Sequence, residues 1–198
     1  MKKLLFTAIA LFIVSGVYAQ GIKVGIKAGA NLSTITDSDD AKMKLGFHIG
    51  GFLDFKFNER FSLQPELLYS AQGAKYTVTT LWEDGAWHNV SGSYAFDYIN
   101  VPVLLKINIT EGFSAEIGPQ IGFLIGARWK EKGDGVLVNS GSGTDNCNTI
   151  DVTALAGLSY TFAENFVVSA RYGFGLTKIG KSWSDKNSVI QLSVGYKF

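Results

Sequence analysis

His48 and His88 are the only two histidines of this chain, and they bound the catalysis it could perform. His88 closes the segment Trp82-Glu83-Asp84-Gly85-Ala86-Trp87-His88, where acids and aromatics surround an imidazole. A serine hydrolase holds its histidine between a serine and an acid, and a metal centre needs clustered ligands. Proximity in one loop supplies neither. Trp82, Trp87 and His88 therefore read first as loop contact residues, since tryptophan is enriched at binding surfaces. Asp134 and Asp145 stand among glycine and asparagine but lack the spacing of a calcium-binding loop. Cys147 is the single cysteine, so an internal disulfide and a cysteine metal cluster are excluded, and it reads as a loop thiol. No cofactor or metal site is expected.

A second group of chemistry-bearing residues is spread along the chain: Lys23, Lys27, His48, Asp54, Glu66, Lys106, Glu116, Arg128, Asp151 and Arg171. Each occupies a polar position in a segment that otherwise alternates apolar and polar. An ion or proton path is one reading. The other is a network of mutually paired charges, because a buried charge is tolerable only when paired. The expected network comprises Lys27, His48, Asp54, Glu66, Lys106, Glu116, Arg128 and Arg171.

The alternating segments are the elements that must position these groups. In residues 44–73, Leu45, Phe47, Ile49, Leu53, Phe55 and Phe57 share one face with Phe61, Leu63, Leu67 and Tyr69. Period-2 alternation is a strand signal. These strands exceed the usual length of about 5–6 residues. They match the roughly 9–11 residues that a transmembrane strand needs. Eight such segments follow one another, and their links alternate between short turns and the longer loops 34–42, 81–92, 130–148 and 178–187. That is the pattern of a membrane barrel, with turns on one side and loops on the other. A spanning sheet cannot keep open edges in hydrocarbon. The expected fold is all-β: an eight-stranded antiparallel up-and-down transmembrane β-barrel over residues 20–198.

Phe57, Phe61, Phe113, Phe162, Phe166 and Phe198 mark the short turns and the C-terminus, and are expected to form one aromatic girdle. Tyr76, Trp82, Tyr94, Phe96, Trp129 and Trp183 lie near the long loops and could form the other. Inward glycines would make room for long charged side chains. Pro65, Pro102 and Pro119 fall inside strands, where each removes a ladder donor, so bulges or ladder breaks are expected there.

Residues 1–19 read as a cleaved signal peptide: Lys2 and Lys3, an apolar run, then Val17-Tyr18-Ala19. The formal net charge of +1 gives no reason to expect nucleic acid as a partner. The expected location is the outer membrane, with its lipids as neighbours. A soluble lipocalin-like barrel would need the opposite polarity, apolar inside.

The pieces GIKAGANLS (residues 25–33), SLQPELLYSAQG (62–73), YINVPVLLK (98–106) and GPQIGFLIGA (118–127) resemble the PorT-like outer-membrane β-barrel family of Bacteroidota. The resemblance spans essentially the whole mature chain. It implies an eight-stranded outer-membrane barrel inserted by the barrel-assembly machinery, which reads a terminal aromatic signal similar to the run ending in Tyr196 and Phe198. The expectation is a non-enzymatic scaffold whose loops meet an unidentified partner. A small passive channel or a secretion-associated barrel is the alternative, and a loop enzyme depending on His88 is a third reading.

Overall fold

The computed structural model describes residues 22–36, 41–81, 85–133, 136–181 and 185–198. The expected signal peptide lies outside these residues, as do Trp82 and Trp183. Among the described residues nine strands follow in chain order: β1 (Ile22–Ile35), β2 (Ala41–Lys56), β3 (Phe61–Leu81), β4 (Trp87–Asn108), β5 (Phe113–Gly133), β6 (Val136–Ser142), β7 (Ile150–Phe162), β8 (Phe166–Gly175) and β9 (Asn187–Lys197). The order β4-β3-β2-β1-β9-β8-β7-β5, with β4 also paired to β5, closes an antiparallel ring of 8 strands. The first and last strands seal it, from Gly25↔Lys197 to Ile35↔Asn187. β6 stands outside the ring and pairs with β5 alone.

The ring is inside-out relative to a soluble barrel. β8 alternates exposed Phe166, Val168, Ala170, Tyr172 and Phe174 with buried Val167, Ser169, Arg171, Gly173 and Gly175. Small inward residues make room for large ones. A Cβ on Gly157 would lie 2.7 Å from Arg171 Cγ, and one on Gly25 would lie 2.2 Å from the buried Phe52 ring. Phe52 is thus an inward filler, packed where β1 carries no side chain, and Leu68, Leu104, Leu155, Val167 and Val189 are further apolar members of the mixed lumen.

Each proline interrupts a single ladder. Pairing of β2 with β3 lapses between Phe52↔Glu66 and Phe55↔Leu63, a gap that contains Pro65. Pairing of β3 with β4 lapses between Pro65↔Val103 and Leu68↔Asn100, which contains Pro102. Pairing of β4 with β5 lapses between Pro102↔Gln120 and Leu105↔Ile117, which contains Pro119. Register is kept across all three, so the cost is the donor that proline lacks and no more. Register shifts occur elsewhere, between Met43 and His48 on β2, Asp97 and Tyr98 on β4, and Glu131 and Lys132 on β5.

Strand lengths are unequal. The 10 residues of β8 rise about 25 Å at a tilt of about 40°, the height of one apolar band. The 21 residues of β3 and 22 of β4 rise about twice that. Two expected loops are therefore strand: the β3–β4 connection is confined to residues 82–86, and β5 runs to Gly133 before β6 returns beside it. Upper β3, β4, β5 and β6 form a wall beyond the ring. Its outer face is largely polar and its inner face carries aromatic rings, a pattern that backbone pairing permits because it does not require the alternation that lipid imposes.

Candidate functional site

Five charged side chains meet in the lower lumen. Arg171 on β8 forks onto Glu66 of β3, with Nη1 to Oε2 at 2.9 Å and Nη2 to Oε1 at 2.9 Å. Its Nε donates to Glu116 Oε2 on β5 at 2.6 Å. Lys27 on β1 reaches both Glu66 oxygens at 3.4 Å. Lys106 on β4 pairs with Glu116 at 3.5 Å and donates to Gln64 Oε1 at 3.1 Å, while Gln64 Nε2 donates to Glu66 at 2.6 Å. Below them Lys197 on β9 donates to Asp54 on β2 at 2.9 Å. These groups are buried, and together they join β1, β2, β3, β4, β5, β8 and β9 across the lumen.

His48 belongs to a neighbouring polar cluster. Its Nδ1 lies 2.7 Å from Asn31 Oδ1 and its Nε2 lies 2.7 Å from Ser193 Oγ. Asn31 Nδ2 already donates to Phe47 O, Ser70 Oγ and Ala71 O. The pattern assigns Nδ1–H as donor to Asn31 and leaves Nε2 to accept from Ser193. This histidine is fully committed to holding strands together.

Higher in the lumen, Asp151 accepts from Thr177, Thr153 and Asn187, and Asn187 also reaches the Tyr98 hydroxyl. Above lies an apolar cluster of Phe96, Tyr98, Leu124, Ala127, Cys147 and Ile179. Cys147 and Ile179 come from the two links that flank β7 and β9. These links are joined to each other by a Cys147↔Gly180 bridge, by Asn148 N donating to Ile179 O at 2.7 Å, and by Lys181 N donating to Asn146 O at 3.1 Å. Two links thus fold together as a lid over the barrel mouth. Cys147 is the expected free thiol of a link, but at 6% exposed it is one of the lid's packed members, and burial pushes its thiol pKa up.

Arg128, expected in the lumen, points outward. The register shift at Asp97/Tyr98 reverses the alternation of β5, so Ala127 faces in and Arg128 faces out, its side chain 59% exposed and 2.6 Å from Asp97. The reversal also turns Trp129 inward, while Tyr76, Tyr94 and Phe96 fall on the inward positions of β3 and β4 by unbroken alternation, so the expected upper girdle is corrected. Phe96 is buried inside, and Tyr76, Tyr94 and Trp129 lie on the inner face of the wall. Tyr76 stacks on Tyr94 at 5.7 Å, and Tyr94 on Phe96 at 6.3 Å. The Tyr76 hydroxyl donates to Glu131 at 2.6 Å, and burial, then this bond, raises its pKa. A half-enclosed cavity of about 290 Å³ opens here, lined by Tyr94, Trp129, Glu131 and Asn146 among others. The outward aromatics near the upper edge are Phe47, Tyr69, Phe123 and Phe174.

At the opposite end, Phe57, Phe61, Phe113, Phe162, Phe166 and Phe198 lie beside the short turns; Phe162 and Phe166 stack at 5.6 Å, and Tyr196 bridges Phe166 and Phe198. Trp87 is 70% exposed at the start of β4, and His88 follows it, half-buried. Among the described residues no group of three or more His, Cys, Asp or Glu could hold a metal.

The family described as outer membrane protein beta-barrel domain matches residues 18–180. Among solved structures, the chain is similar to Ail, the attachment invasion locus protein of Yersinia pestis, at 19% identity and a TM-score of 0.52, with 89% of this chain and 98% of that one covered. Neisserial surface protein A is similar at 15% identity and a TM-score of 0.50, with 88% and 97% covered. No curated protein matches.

Proposed function

The chain belongs to the outer membrane protein β-barrel domain family, and from that premise we propose that it is a non-conducting, non-enzymatic scaffold that raises a wall of strands above the outer membrane for contact with a partner. The closed lumen carries this reading. Glu66, Arg171, Glu116 and Lys106 cross-link its lower half, and the Cys147–Ile179 lid packs over its mouth. An eight-stranded lumen is only wide enough to be filled by side chains, and here side chains fill it. The upper strands, by contrast, extend far past one apolar band. Their inner face offers aromatic rings beside Glu131, and their tip offers Trp87. Function commonly resides on connections held by a rigid frame.

The narrower kinship with PorT-like barrels rests on the four sequence pieces quoted above. Residues 1–19 act as the export signal in this reading, the barrel-assembly machinery inserts the mature chain, and membrane lipids surround it. The test is electrical and topological. Purified protein in planar bilayers is expected to give no conductance steps, and an epitope inserted after Gly85 is expected to be accessible on intact cells. Regular, long-lived conductance steps would overturn the scaffold reading in favour of a channel.

A further inference from the structure

The outer face of the wall carries a charge imbalance that the rest of the molecule does not explain. Lys42 of β2 is the direct partner of Lys75 on β3, Lys75 of Ser93 on β4, Ser93 of Lys130 on β5, and Lys130 of Ser140 on β6. One row across five strands thus contains three exposed lysines, two of them directly opposite each other, and its other members are Ser93 and Ser140. Like charges directly opposite one another destabilise a ladder. Arg128 lies one outward position below Lys130, and Lys132 one above. On these strands the acidic side chain of this face is Asp97, already taken by Arg128 at 2.6 Å and by the Tyr69 hydroxyl at 2.9 Å. The whole chain is almost neutral, with 18 Lys and Arg against 17 Asp and Glu, so the excess is local.

The height of the row identifies its counter-charge. Tyr69 is the direct partner of Ile99, itself opposite the lipid-facing Phe123, and a tyrosine at this level marks the membrane interface; Asp97 stands one outward position above. The lysine row, level with Ser93, lies four residues beyond Asp97 and six beyond Ile99 along β4, roughly 10–15 Å above them at a barrel strand's tilt. Ser93 leaves shallow space between the long arms of Lys75 and Lys130, which suits a compact anion carried on a lipid. We infer that Lys42, Lys75 and Lys130 bind the phosphate-bearing headgroup of an outer-leaflet glycolipid, with Arg128 closing the lower side. This rests on the membrane-barrel reading above and adds a lipid class and a site to it.

The test uses the full mature chain in phosphatidylcholine nanodiscs doped with diphosphoryl lipid A or with its dephosphorylated form, and native mass spectrometry measures the lipid retained. Retention of the diphosphoryl form is expected to exceed that of the dephosphorylated form at least tenfold. The triple variant Lys42→Gln/Lys75→Gln/Lys130→Gln is expected to lose this preference, and the triple Lys→Arg variant to keep it. A preference that survives in the Gln variant, or equal retention of both lipids by the native chain, overturns the site. Complete displacement of the lipid by millimolar inorganic phosphate overturns the lipid assignment in favour of a free-anion site. Gel mobility before and after boiling distinguishes these results from collapse of the barrel. A variant that keeps its faster unboiled band is folded, whereas a native chain lacking that band removes the membrane reading itself.

Discussion

Glu66→Gln tests whether the lumen is a plug held by charge. Glu66 accepts the Arg171 fork at 2.9 Å and Lys27 at 3.4 Å, and its side chain has no exposed surface. The lower cluster holds Lys27, Lys106 and Arg171 against Glu66 and Glu116. Neutralising Glu66 changes its net charge from one positive to two, with no solvent to absorb the difference. Removing one partner of a buried pair costs about 3–5 kcal/mol, because the other charge is left uncompensated. Glutamine keeps the shape and one acceptor oxygen, which points to the lower end, about 3 kcal/mol or roughly a hundredfold in the folding equilibrium. The assay is reversible urea unfolding of protein inserted in lipid vesicles, followed by tryptophan fluorescence. Arg171→Met in the same background is expected to return part of the loss, because the orphaned cation is gone, so the double-mutant cycle shows a coupling of about 1–3 kcal/mol. A loss under about 0.5 kcal/mol for Glu66→Gln, the range of an ordinary surface substitution, would refute the plug and imply a lumen wet enough to solvate both cations.

Gly25→Ala is expected to destabilise the barrel by about 1–3 kcal/mol through overpacking, since its Cβ would fall 2.2 Å from the Phe52 ring. The same change is expected to cost almost nothing further in a Phe52→Ala background, which urea unfolding of the double variant checks. Cys147 is expected to react with a maleimide at neutral pH at least about tenfold more slowly than an exposed thiol, and faster as pH rises, because lid packing and a raised pKa both withhold the thiolate. Stopped-time alkylation read by mass spectrometry measures this, and fast labelling would mean the lid is open. Trp87→Ala is expected to change stability by less than about 0.5 kcal/mol, as the ring is 70% exposed, while weakening capture of any partner that docks on the wall tip.

The transmembrane part of the barrel was legible because lipid constrains it. Outward Phe, Val, Ile and Leu alternating with inward Ser, Gln, Glu and Lys reveal both strand and face, and the prolines announced their own ladder gaps. Above the membrane that constraint disappears. Residues 87–93 and 130–133 lack a repeating apolar face, so they read as loop, although their backbones pair in long ladders. Arg128 was misplaced for a different reason: one extra residue at Asp97/Tyr98 inverts every later position on β5, and no side-chain pattern betrays it. Phe52 was left unassigned because its place depends on a glycine in another strand.

The amino-acid order alone determined the strand count of the ring, the polarity of its two faces and the end at which the short turns lie. These follow from near-neighbour periodicity and from the demand that backbone groups in hydrocarbon be paired. The tertiary structure decided which inward charges meet, that two distant links close the mouth, and that the upper strands form a wall with lysines in one row. Those outcomes depend on register between strands far apart in the chain, and register is a property of pairing that no single strand contains.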